Sequence, residues 1–251
     1  MVTVVVPHHL NKNDPYLYWC LRSIVASEGI ALDVICISDA PMAPEVPEGV
    51  TLVHNLMLSN VTKKWHTGLK MSDPKSKYVM LISDDVMVSK YTIAELAETI
   101  GDEMMIINPG SNCDATTRYY TVFDLAGWPI PHKCTINQIA GKEQLVLDYP
   151  KSKRILLDPG WVSFYCTMMP KAVIERVGGL DESLDVRHND VDYCHRARMA
   201  GIPSLINLGA FALHFGDQSL PYCTTKEEYQ SADQAFQAKY SMARVDRHSE
   251  K

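Results

Sequence analysis

Two adjacent carboxylates, Asp84 and Asp85, directly follow the apolar run YVMLI. Carboxylates at the end of a buried strand are costly unless water, hydrogen-bond donors or a cation compensate them. A hard divalent ion such as Mg²⁺ or Mn²⁺ takes oxygen ligands of this kind, one or two from the protein and the rest from water or substrate phosphates. An isolated Asp-Asp pair serves equally well as a turn cap in water. Further along, Asp190 stands at the start of a helical segment, NDVDYCHRARMAG. The helix dipole would hold it as an anion able to accept a proton near neutral pH, although the same position suits a plain helix cap. Asp192 is the alternative base or a contact to the acceptor. His214, between Leu213 and Phe215, is either a packed core residue or a ligand. Arg196 could hold the acidic cluster or meet a phosphate, and Lys63 or Lys64 could cradle a diphosphate. Trp161 offers an aromatic face to a sugar or acceptor, or else core packing.

The elements that must position these residues alternate between strand and helix. VTVVV is closed by Pro7, and Asp14-Pro15 then supplies a helix cap and first helical residue ahead of Leu17, Leu21, Ile24 and Val25 on one face. A second apolar run, Val34 to Ile37, ends at Ser38-Asp39. A stretch with Pro41, Pro44 and Pro47 separates it from a strand at Val50 to Val53, and a short helix is expected around Trp65 to Met71. YVMLI reads as a buried strand followed by a helix over Thr92 to Ile100. This βαβ rhythm predicts an α/β fold with a mostly parallel sheet flanked by helices. In such sheets the ligand crevice lies off the carboxyl ends of the strands, where Pro7, Asp39 and Asp84-Asp85 would meet.

The stretch from Pro109 to about Pro159 is less regular, and its Tyr119, Tyr120, Trp128, Pro129 and Pro131 suit a loop or small subdomain over the cleft. Beyond it, WVSFYCTMM reads as a strand and PKAVIERVGG as a helix with proline at its start and glycine at its end. A helix over Asp190 to Ala200, stopped by Gly201, precedes a final strand pair. Thr225 and Glu228 then have capping-box spacing ahead of a helix to about Tyr240, and Ala243 to Lys251 form a polar tail.

The chain has 251 residues, 46% hydrophobic and 22% charged, which is the make-up of an ordinary globular protein. Its net charge of -6 lacks the bulk basicity of a nucleic-acid binder. The longest apolar runs fall far short of the roughly 20 residues that span a bilayer, and no secretory leader is visible after Met1, so a cytoplasmic protein is expected. Seven cysteines are scattered without a CxxC pair, which points to reduced thiols rather than disulfides or zinc. VPHHLNKND carries no glycine, unlike the phosphate-binding loop expected of a nucleotidyltransferase.

The order of GWVSFYCTMMPKAVIERVGGLDE, NDVDYCHRARMAG and HFGDQS, behind VTVVVP, ICISDA and YVMLISDDV, resembles the family 2 glycosyltransferases of the GT-A fold, especially rhamnosyltransferase-like members. The likeness runs up to about Ser219. It implies a GT-A domain over residues 1–220, with 221–251 as a C-terminal helix and tail packed on it. Pro7, His8 and Asp39 would then flank the nucleotide base, with the ring of His8 itself read as packing. Asp84 would approach the ribose and Lys63 or Arg196 the phosphates. Asp85, in a variant of the DXD motif, would bind the metal together with His214. Asp190 would be the base, with Asn189 where the family often has an acidic residue. The implied reaction is an inverting transfer from a nucleotide-diphosphate sugar, UDP- or dTDP-linked ahead of GDP-linked, assisted by Mn²⁺ or Mg²⁺. A glycan is the expected acceptor; a modified DNA base or a protein is the alternative, as is a non-catalytic nucleotide-sugar-binding protein.

Overall fold

The computed structural model describes residues 1–10, 14–113, 124–125, 128–184, 188–216 and 226–246. Four strands, β1 (Val2–His8), β2 (Leu32–Ser38), β3 (Val50–His54) and β4 (Tyr78–Ile82), form a parallel block in the order β3-β2-β1-β4. β1 and β4 are buried along their whole length, as strands covered on both faces must be. Alternation within β1 sorts its side chains between two apolar layers. Val2, Val4 and Val6 join Leu17, Leu21 and Ile24 of α1 (Asp14–Val25), whereas Val5 joins Trp65 of α2 (Val61–Met71). α2 lies so close to the sheet that a Cβ on Gly68 would come within 2.3 Å of Val5 Cγ1.

The far half of the sheet is mixed. After β4 come β5 (Val86–Val88), α3 (Thr92–Ile100) and β6 (Ile106–Ser111). A small hairpin follows, β7 (Asp124–Leu125) with β8 (Trp128–Pro129), then the short helices α4 (Ile136–Ile139) and α5 (Glu143–Leu147) and strand β9 (Leu156–Leu157). β10 (Cys166–Pro170) inserts antiparallel between β4 and β6. β11 (Ser204–His214) runs parallel to β6 and antiparallel to β5 and β9. Helices α6 (Lys171–Val177), α7 (Asn189–Met199) and α8 (Lys226–Asp246) complete the described chain. The whole is an α/β fold, its central sheet of nine strands flanked by helices.

Three expectations change. Only the end of WVSFYCTMM is strand, because Ser163 to Tyr165 turn their backbone groups to neighbouring side chains and loops instead. Among the described residues the expected final strand pair is one strand, β11, whose register shifts between Asn207 and Phe211; the Asn207 side chain accepts from the Gly209 amide at 2.8 Å within that bulge. The last helix extends to Asp246 rather than Tyr240. Tyr119, Tyr120, Ser219, Cys223 and Thr225 lie outside the described residues, as do the side chains of Trp128, Pro129 and Glu228. The six described cysteines are buried thiols. Among the described residues no helix is long and apolar enough to cross a membrane.

Candidate active site

The end of β1 is held beside that of β2 by continuous parallel pairing, with Pro7 opposite Ile37 and His8 opposite Ser38. The next residue, Asp39, donates its amide to the His8 carbonyl at 3.2 Å. Its carboxylate accepts from Lys64 Nζ at 2.5 Å and His9 Nδ1 at 2.8 Å. Burial alone would raise the Asp39 pKa, but the bonds from His9 and Lys64 outweigh it and hold the group below the usual aspartate range. Asp39 is therefore a fixed anion at a strand end. Lys64, only 2% exposed, serves that anion, while Lys63 points to solvent and its amide donates to the Asn60 cap. The His8 ring is 1% exposed, with Nδ1 beside Ser38 Oγ and Nε2 beside the Leu10 carbonyl, each at 3.0 Å. Burial lowers its pKa to about 4, so the ring is neutral scaffold.

The acidic pair sits where β4 gives way to β5. The Ser83 amide donates to the Tyr165 carbonyl at 2.8 Å, and both Asp84 and Asp85 are buried. Antiparallel pairing sets His214 opposite Val86, and the Phe215 amide carries the ladder one step further onto the Asp85 carbonyl at 3.0 Å. Register alone thus places His214 beside Asp85. The imidazole is fixed from three directions. Nδ1 lies 2.7 Å from the Cys113 carbonyl, the ring stacks on Tyr165 at 5.0 Å, and Nε2 lies 3.4 Å from Asp85 Oδ1. Asn112 bonds both backbone groups of His214, accepting its amide at 2.9 Å and donating to its carbonyl at 3.0 Å.

This donor set fits a divalent cation. A carbonyl can only accept, so Nδ1 carries the proton and, in the neutral ring, Nε2 presents a lone pair to an anionic oxygen. Two acceptors facing each other require a positive charge between them, either a second ring proton or a metal. Among the described residues no cluster of three or more His, Cys, Asp or Glu side chains is arranged to hold a metal. A two-residue site is nevertheless what Mg²⁺ or Mn²⁺ uses when substrate phosphates complete the shell.

Asp190 lies in the first turn of α7 and remains partly exposed. Its Oδ1 accepts from the Val191 amide at 2.8 Å. Burial pushes its pKa above the usual aspartate value, and the backbone amides of Val191, Asp190 and Phe164 moderate the rise. A carboxylate with raised proton affinity on a residue that is only partly buried is suited to general-base work. The segment Phe164-Tyr165 lies between this group and the metal pair, for the Phe164 amide is among the groups that moderate the Asp190 pKa and the Tyr165 ring stacks on His214. These two residues are consecutive, with Cα atoms about 3.8 Å apart.

In the α7 region Asp192 and Arg196 are held by packing partners, Arg196 in the first of its two expected roles, as holder of the acidic cluster. Asp192 cannot meet an acceptor as placed. It is 0% exposed, and its oxygens are taken by Arg196 Nε at 2.9 Å, Lys239 Nζ at 2.6 Å and Tyr240 OH at 2.8 Å. Arg196 spends its guanidinium on Asp192 and on the carbonyls of Val177 and Gly179, which makes it the tie of the GGLDE turn rather than a phosphate ligand. Lys239 also donates to Asp181, and with Ser183 it holds that carboxyl down to about 2. Asp192→Ala should destabilise the protein by about 3 kcal/mol, near the lower end for a broken buried pair because Arg196 and Lys239 retain contact with water. Urea denaturation checks this; a change below about 0.5 kcal/mol, the usual surface value, would contradict it. Trp161 packs half-buried against the apolar layer that contains Phe164 and Tyr193.

Sequence reasoning missed Tyr165, Asn112 and the Phe164 amide. Each acts through stacking or a backbone group, and no residue pattern advertises such roles.

The arrangement of strands and helices is that of the GT-A fold. Solved structures that share it include the mannosyltransferase PcManGT from Pyrobaculum calidifontis in complex with GDP-Man and Mn²⁺, at a TM-score of 0.56 and 14% identity over 87% of this chain and 58% of that one. S. aureus TarS matches at 0.52 and 12% identity over 85% of this chain and 36% of TarS. Its 1–349 form matches at 0.51 and 12% identity over 86% and 60%. The chain thus spans less than two thirds of each of these proteins, and at such identities the likeness establishes the fold. No protein-family model matches the chain, and neither does any curated protein.

Proposed function

We propose that this protein is a metal-dependent, inverting glycosyltransferase of the family 2, rhamnosyltransferase-like kind. It would move a sugar from a nucleotide-diphosphate donor to an acceptor hydroxyl. The observation that carries the reading is the strand register that sets His214 beside Asp85, on the side of the sheet where Asp39 also emerges. Asp39 would take the nucleotide base, and Asp84 the ribose. Asp85 and His214 would hold Mn²⁺ or Mg²⁺, which supplies charge neutralisation to the departing diphosphate when bound. Asp190 takes the proton of the acceptor hydroxyl as its oxygen bonds to the anomeric carbon. The bond from that carbon to the phosphate oxygen breaks, and the nucleoside diphosphate leaves with the electron pair. One displacement on the opposite face inverts the anomeric centre.

A glycan is the expected acceptor. The net charge of -6 weighs against a broad phosphate-binding surface for a DNA acceptor. The sequence ranks UDP- and dTDP-sugars first, while the mannosyltransferase neighbour carries GDP-Man, so all three nucleotide classes belong in the test. Thermal unfolding should show a metal-dependent rise in Tm with one class of donor, corresponding to about 2.7 kcal/mol at a hundredfold excess over Kd. A Tm unmoved by every donor, with or without Mn²⁺, would remove the main support for the reading.

A further inference from the structure

Asp233, Phe236 and Tyr240 recur at helical spacing in α8, so they share one face of it. That face lies on the start of α7. Asp233 Oδ1 is 2.7 Å from His188 Nε2, and the Phe236 ring stacks on the His188 ring at 4.4 Å. Tyr240 reaches Asp192 at 2.8 Å and packs edge-on to His195. His188 is the residue before α7, and its carbonyl accepts the Asp192 amide at 2.8 Å. It is also the one non-glycine among the described residues with a positive φ, 68°. An L-residue with a large ring does not favour this left-handed conformation and keeps it only where its surroundings over-determine it. The strained residue stands two positions before Asp190, and the groups that hold its ring come from α8.

We propose that α8 clamps the turn that carries the base, with Asp233 and Phe236 as positioning residues that lock His188 in its left-handed conformation and so aim Asp190. The clamp deepens the proposed function and rests on it for its kinetic consequence. Its structural consequence is independent of that reading. When the clamp is released the backbone of residues 188–192 relaxes, while Asp39, Asp85 and His214 stay in place because other strands hold them.

The test compares the full-length parent with Asp233→Ala and Phe236→Ala, and uses Asp233→Asn, which can still accept the His188 hydrogen bond, as the conservative rescue. Amide hydrogen exchange should speed up at residues 188–192 in both alanine variants, remain unchanged in β1 and β4, and return towards the parent rate in Asp233→Asn. With the donor that stabilises the parent, kcat should fall at least tenfold in the alanine variants while KM for the donor stays within twofold. In an Asp190→Asn background the same alanine substitutions should cause no further loss. Unchanged exchange at 188–192 overturns the clamp whatever the kinetics. Faster exchange with kcat unchanged, or an equal loss in the Asp190→Asn background, overturns its role in aiming the base. If the parent turns over no donor, the glycosyltransferase reading fails, and the exchange data still decide the clamp.

Discussion

Asp190→Asn is expected to lower sugar transfer by about 10²- to 10⁴-fold, the usual contribution of a positioned general base, while donor affinity stays within twofold. Asparagine keeps the shape of the side chain and can still accept the Val191 amide, so the start of α7 should survive the change. What it loses is the ability to take a proton. The pH profile of the parent should carry the same signature. Burial raises the Asp190 pKa, so the acid limb of kcat/KM should lie above the ordinary aspartate value of about 3.9. Activity is complete above that raised pKa and is lost as pH falls through it, because the base is then already protonated. Single-turnover rates with the variant and the parent across pH 4 to 8, with donor binding measured alongside, check both parts. Retention of more than a tenth of the rate in Asp190→Asn would move the base elsewhere.

Asp85→Ala should abolish Mn²⁺-dependent donor binding and reduce transfer by about 10²- to 10³-fold, comparable to the loss of a principal electrostatic stabiliser. Removing the carboxylate takes away the anionic oxygen that faces His214 Nε2 at 3.4 Å, and with it one of the two side chains proposed to hold the metal. Asn112→Ala acts one step further out. It frees the His214 backbone from two bonds and should weaken metal affinity by about 10- to 100-fold, as losses among the groups that orient ligands do. Mn²⁺ titration followed by electron paramagnetic resonance, in the presence of donor, separates these effects. Unaltered Mn²⁺ affinity in Asp85→Ala would place the metal away from His214.

The N-terminal half of the fold is legible in the sequence because its signals are local. VTVVV and YVMLI are apolar runs too short for anything but buried strands, and Thr92 to Ile100 emerges with the bounds the periodicity predicts. The far half is less legible because its order depends on long-range pairing. Nothing in CTMMP announces that it inserts antiparallel between β4 and β6, and the bulge in β11 depends on the Asn207 side chain folding back on Gly209. The same division runs through the site. Asp39, Asp85 and His214 are recognisable as strand-end residues with chemistry, and pairing brings the last two together. Asp192 and Arg196 have equally suggestive residue types, but α8 and the GGLDE turn claim them for packing. A partner some 47 positions downstream cannot be inferred from the spacing within NDVDYCHRARMAG.

The central claim is that Asp39, Asp85, His214 and Asp190 serve one nucleotide-sugar reaction. Release of nucleoside diphosphate from UDP-, dTDP- and GDP-sugars, with and without Mn²⁺, tests it most directly. The predicted result is release from one donor that needs the metal, stops with a chelator and is lost in both Asp85→Ala and Asp190→Asn. Release from none of them under any metal condition, by a protein that is folded and soluble, would contradict it.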